Sequence, residues 1–153
     1  MTVVVVRDGG PGVFDTHVTA GRHEFAADEP VDVGGSDAGP SPYEFLLTAL
    51  GSCTVMTLRL YAQRRGYPLT GITVQLGHDR VHARDCATCD TDEGHLDRIR
   101  RTITLAGELT DAQRADLLRV ADRCPVHRTL SSPILIEPVE DLRDHEPGDA
   151  QIP

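Results

Sequence analysis

The segment from Ser41 to Pro68 constrains this chain more than any other. Ser41 is a favourable N-cap, Pro42 suits the first helical position, and Glu44 stands where a capping box needs it. Apolar residues then recur at Leu46, Leu47, Ala49, Leu50, Val55, Met56, Leu58 and Leu60, until Gly66 and Pro68 stop the element. About 24 residues at ~1.5 Å per residue make a helix roughly 36 Å long. It is apolar around much of its middle, which predicts burial on several sides. Thr, Ser, Gly and Arg interrupt the apolar run, so it reads as a core helix rather than a membrane span.

The elements around this helix are strands. Thr2 to Arg7 is β-branched, Asp8 to Gly12 is a turn, and Phe14 to Ala20 and Arg22 to Ala27 continue as short strands around Gly21. Asp28 to Pro40 is rich in Gly and Pro and reads as a loop. Ile72 to Val81 and Ile99 to Leu109 alternate apolar and polar residues, as half-buried strands do. Thr110 and Gln113 form a capping-box signature for a helix to about Arg123. Cys124-Pro125 breaks it and opens a short helix to about Leu130, and Pro133 to Val139 reads as a last strand. Strands gathered around few helices, without βαβ alternation, predict an α+β fold in a single domain over residues 1–140, followed by a flexible acidic tail over 141–153.

Composition removes several functions. The net charge is -9 and there is no Trp, so neither a phosphate-binding surface nor a base-stacking platform is expected, and no nucleic-acid partner. Met1 to Arg7 lacks a basic segment followed by a long apolar stretch, so no targeting signal or membrane association is expected, and a cytoplasmic location is. Thiols stay reduced there. The four cysteines are therefore expected to serve catalysis, redox chemistry or metal binding rather than static disulfides.

Cys53 falls in the middle of the long helix beside Ala49, Leu50, Met56 and Thr57. Such surroundings raise a thiol pKa unless a cation arrives from elsewhere, and a buried structural Cys is the plain reading. Cys124 precedes Pro125 and can cap the following helix, with Arg123, His127 and Arg128 close in sequence. Unpaired N–H groups and positive charge there favour a thiolate.

The stretch Gly39-Pro40-Ser41-Pro42-Tyr43-Glu44-Phe45-Leu46-Leu47-Thr48-Ala49-Leu50-Gly51-Ser52-Cys53 resembles the central helix of the OsmC/Ohr family, the osmotically inducible and organic hydroperoxide resistance proteins. Arg123-Cys124-Pro125-Val126-His127 resembles that family's second cysteine motif. The element order agrees over about residues 10–138. The resemblance implies antiparallel sheets packed around a long central helix, an intertwined homodimer, and a thiol peroxidase needing no cofactor. Cys53 would attack a hydroperoxide and become a sulfenic acid, Cys124 would resolve it as a disulfide, and an external dithiol would reduce that disulfide. The family also pairs its reactive cysteine with an Arg and a Glu, for which Arg22 and Glu44 are the candidates here, with Arg7 the alternative arginine. This chain departs from the pattern, because Tyr43 stands ten residues before Cys53, where the hydroperoxide resistance members carry Glu. Glu44 stands nine before it, on the opposite face of an ideal helix.

Cys86 and Cys89 have CxxC spacing, but Asp85, Asp90, Asp92 and Glu93 oppose a reactive thiolate. A loop with two unengaged thiols is the plain reading, with no metal. His82, Cys86, Cys89 and His95 would be the ligands if zinc bound. Two other functions stay open at this level: a non-catalytic redox-sensing or metal-binding protein that uses the Cys86/Cys89 loop, and a Cys–His hydrolase built on Cys124 and His127.

Overall fold

The computed structural model describes residues 3–82 and 95–137. The described residues form two compact units, 3–42 with 134–137, and 43–82 with 95–133.

The first unit holds a three-stranded antiparallel sheet in the order β1 (Val4–Asp8), β2 (Thr16–Ala20), β3 (His23–Ala27). Val18 lies opposite both Val6 and Phe25, and buries its side chain at the centre of the sheet. The loop after β3 contains a 3-10 turn at Val31–Val33 and is organised by the buried carboxylate of Asp28. Oδ1 accepts the Glu29 N–H at 2.8 Å, while Oδ2 accepts the N–H groups of Ser36 (2.9 Å) and Ala38 (3.1 Å) and the Ser36 hydroxyl (2.9 Å). A side chain at Gly35 would meet the Glu29 carbonyl at 1.8 Å, so only glycine lets this loop close on itself. These bonds hold the carboxyl down at about 2: the Ala38 N–H acts most, burial opposes it, and the Glu29 and Ser36 groups add to the lowering.

The second unit is built on α1 (Pro42–Arg65), followed by a long hairpin of β4 (Leu69–His82) and β5 (His95–Gly107), then α2 (Asp111–Ala121) and α3 (Pro125–Leu130). Leu50, Thr54, Leu58 and Ala62 recur every four residues and form the buried stripe of α1. Leu58 and Ala62 pack with Leu69, Leu117, Val120 and Ala121, and Ile72, Ile103 and Leu105 of the hairpin close over them. Inward residues alternate along β5 from Ile99 to Leu105, as period two requires. Thr110 and Gln113 cap α2 reciprocally, side chain to backbone, at 3.2 and 3.0 Å. Asp116 of α2 then ties down the end of α1, accepting the hydroxyls of Tyr61 (2.7 Å) and Tyr67 (3.0 Å) on Oδ2 and Arg119 on Oδ1.

The fold is α+β, as the sequence predicts, with α1 at its predicted bounds. Three expectations need correction. β4 and β5 both begin earlier than the apolar alternation, at Leu69 and His95, and β5 ends at Gly107 rather than Leu109; charged cross-strand pairs carry the early start of β5. Arg98 grips Asp79 with two bonds of 2.8 and 2.7 Å, and His78 meets Asp97 at 2.9 Å. The last strand does not form over Pro133–Glu137: Leu135 and Ile136 are exposed and no ladder pairs them. Apolar residues alone do not make a strand without a partner edge. Finally, α1 is buried in this chain along one stripe rather than on several sides, and Met56 and Leu60 lie exposed. By length and composition alone α1 could cross a membrane, but its buried stripe forms a wall of the protein core. The tail at 141–153 lies outside the described residues.

Candidate active site

Local backbone geometry brings the two predicted cysteines together within the second unit. α2 ends at Ala121, and two turn bonds follow, Arg123 N–H to Val120 O (2.9 Å) and Cys124 N–H to Ala121 O (3.3 Å). Pro125 then starts α3, with Cys124 as its N-cap. This tight reversal turns the Cys124 side chain inward, and the residue is 0 % exposed. Across from it lies α1, where Thr54 is also fully buried and Cys53 is half-buried. Both cysteines are free thiols, close enough that each shifts the titration of the other.

The two sulfurs differ electrostatically. Burial pushes the Cys53 thiol up, and the Cys124 sulfur pushes it further, against smaller opposing effects of the Val126 N–H and the Thr57 hydroxyl. Burial also acts to raise Cys124, but the Cys53 thiol, the His127 and Val126 N–H groups and Thr54 together outweigh it and leave Cys124 below the usual thiol range. The cap makes no full side-chain hydrogen bond, so the amides act on the sulfur as nearby dipoles. The Thr54 hydroxyl carries one proton, and this rests on the Leu50 carbonyl at 2.8 Å. Turning it to the sulfur stabilises a thiolate, at the cost of that bond.

The other candidates lie on separate elements or turns of the chain. Glu44 is exposed in the first turn of α1, which is helical from Pro42, so the opposite-face relation to Cys53 holds within the helix. Arg22 lies exposed in the turn between β2 and β3, and Arg7 lies exposed in β1, both in the first unit. The His127 imidazole lines a cavity of about 320 Å³ together with Leu50, Ile99, Leu130, Arg101 and Asp97. Arg101 reaches from β5 to the Ala121 carbonyl (3.4 Å) and to Asp122 (2.6 Å), bracing the turn that presents Cys124. Cys86, Cys89 and the His82 side chain lie outside the described residues, and His95 is exposed at the start of β5. Among the described residues no three His, Cys, Asp or Glu side chains gather to hold a metal ion. Sequence reasoning missed Thr54 and Arg101. Their signals were available: a polar residue inside the four-residue apolar repeat of α1, and an arginine on the inward register of β5.

A buried and a half-buried thiol facing each other between two helices define a dithiol site on an α+β scaffold. The OsmC-like protein family model matches residues 34–139, and this chain belongs to that family. Solved structures of similar fold include an OsmC-like protein from Mycoplasma pneumoniae, with a TM-score of 0.68 at 18% identity over 86% of this chain and 87% of that one. A hydroperoxide resistance protein from Legionella pneumophila gives 0.61 at 14% identity over 85% and 88%. The organic hydroperoxide resistance protein OhrB of Bacillus subtilis gives 0.57 at 16% identity over 84% and 89%. No curated relative matches the chain significantly.

Proposed function

We propose that this protein is a thiol-dependent hydroperoxide reductase of oxidative-stress defence, acting as a homodimer in the cytoplasm without a cofactor. Cys53 attacks the terminal oxygen of the hydroperoxide, the O–O bond breaks, and an alcohol leaves as Cys53 becomes a sulfenic acid. Cys124 attacks that sulfur, water departs, and a disulfide remains for an external dithiol to reduce. The reading is carried by one observation: two free thiols from α1 and the α2–α3 junction interact directly, one half-exposed and one fully buried. The half-exposed one can meet a peroxide, and its partner lies behind it. Membership in a family whose structural neighbours include hydroperoxide resistance proteins supports the substrate class. Arg22 and Glu44 are the proposed auxiliary groups. The exposed Met56 and Leu60 of α1 supply apolar surface for a second copy.

The reduced protein is mixed with tert-butyl hydroperoxide or hydrogen peroxide, and thiol loss and peptide masses are followed. Wild type should lose Cys53 and Cys124 together as a disulfide, Cys53→Ser should consume no peroxide, and Cys124→Ser should trap a sulfenate on Cys53. Full turnover by Cys53→Ser would falsify the proposal.

A further inference from the structure

We infer that the reducing dithiol enters at Cys53: its thiolate attacks the Cys53 sulfur of the Cys53–Cys124 disulfide, and Cys124 departs into the core as the leaving thiolate. This rests on the reductase reading above, which supplies the disulfide. Burial sets the direction. Cys124 is 0 % exposed, so no external thiolate reaches it, while Cys53 is partly open. Thiol–disulfide exchange is an in-line displacement, and attack on Cys53 from solvent leaves Cys124 behind it as the displaced sulfur.

The surroundings of Cys124 suit a leaving group, since exchange is faster when the departing thiol is the more acidic one. The Val126 and His127 amides act on its sulfur, and Thr54 lies against it with a hydroxyl proton that can turn from the Leu50 carbonyl as negative charge appears. The charged groups around the turn are Arg101 and Asp122, paired at 2.6 Å, and Arg123 and Arg128 along the chain, with the titratable His127 between these last two. From α1, Arg59 is engaged elsewhere, donating to the Leu69 carbonyl at 2.7 Å.

The exchange balances in two steps. In the first, the protein S–S bond breaks, an S–S bond to the reductant forms on Cys53, and Cys124 carries the negative charge. In the second, the other thiol of the reductant gives up its proton and attacks its own bound sulfur. The reductant leaves as a closed disulfide, Cys53 is released, and the freed protons restore the reduced pair. Two electrons pass from dithiol to protein. A monothiol cannot take the second step within one molecule. The Cys124 thiolate sits beside the mixed disulfide and can slowly expel the monothiol, so a monothiol adduct has to be caught by acid quenching.

The test uses the full chain, oxidised by hydroperoxide or, independently, by diamide, then exposed to glutathione, quenched in acid and mapped by peptide mass. Glutathione should be found on Cys53, with Cys124 free, in excess of the reverse product by roughly ten-fold or more. A predominant adduct on Cys124, or equal labelling of both, overturns the inference. Thr54→Val should slow reduction by dithiothreitol several-fold with the adduct still on Cys53, and Thr54→Ser should restore the rate. An unchanged Thr54→Val rate removes the hydroxyl from the scheme, and the adduct ratio in wild type decides the entry site whether or not that variant folds. If hydroperoxide fails to close the disulfide and diamide succeeds, the reductase reading falls while the entry site is still measured. If neither oxidant closes it, both fall.

Discussion

Asp28 receives both the backbone N–H and the hydroxyl of Ser36 on one oxygen, each at 2.9 Å. A carboxylate is the only side chain of this size that accepts on both of its oxygens, and the loop from Asp28 to Pro40 is folded around that property.

Asp28→Asn should therefore loosen this loop, because one acceptor becomes an amide that faces N–H donors. The sign of the pH effect follows from the carboxyl being lowered from 3.8 to about 2. In wild type the contribution is complete above about pH 4, the ordinary carboxylate range, and is lost as pH falls through about 2. Urea midpoints of the two proteins should differ most near neutrality and converge in strong acid. A gap that persists unchanged at the acid end would show that the carboxylate charge is not what closes the loop.

Tyr67 should ionise later than an ordinary tyrosine. The Asp116 carboxylate that accepts its hydroxyl raises it most, and burial adds to this. A raised phenol stabilises the fold below its ordinary pKa of about 10, and this contribution is lost as pH rises through the raised value. Asp116→Asn should bring the tyrosinate absorbance change to lower pH and lower the alkaline unfolding midpoint. Tyr67→Phe should remove the late-titrating component without moving the others.

The two sides of α1 should respond differently to substitution. Leu58→Ala removes a fully buried side chain from the core and should cost about 2–5 kcal/mol, read from denaturant midpoints. Met56→Glu changes a residue that is 69% exposed and should leave the fold of one chain nearly unaltered, within about 0.5 kcal/mol. If the exposed face of α1 meets a second copy, Met56→Glu shifts sedimentation from dimer to monomer at the same protein concentration.

Much of the architecture was legible in the sequence because its signals are local. The ends of α1 are written in Ser41-Pro42 and Gly66, and the start of α2 in Thr110 and Gln113, so these boundaries matched the structure. Pairing is not local. The Asp79–Arg98 and His78–Asp97 contacts that lengthen the hairpin join residues on different strands, and no window on one strand contains them. The same reasoning explains the strand expected at Pro133–Val139, where the residues favour strand but a partner edge is a property of the whole assembly. At the site, the two cysteines were found through their motifs. Their inequality was legible too, in the apolar neighbours of Cys53 and the helix N-terminus at Cys124, but the part Thr54 plays in it was not, because that side chain comes from a separate helix.

Gly51 lies two residues before Cys53, and a methyl group placed there would come within 2.9 Å of the Leu76 side chain. The blocking atom is the end of a flexible side chain, so a larger residue at 51 can be accommodated if α1 and β4 separate slightly. Such a displacement is small for a core and large for two sulfurs that bond in the proposed reaction. A mutant library screened for expression would keep bulky residues at position 51, whereas one screened for survival under peroxide would return glycine.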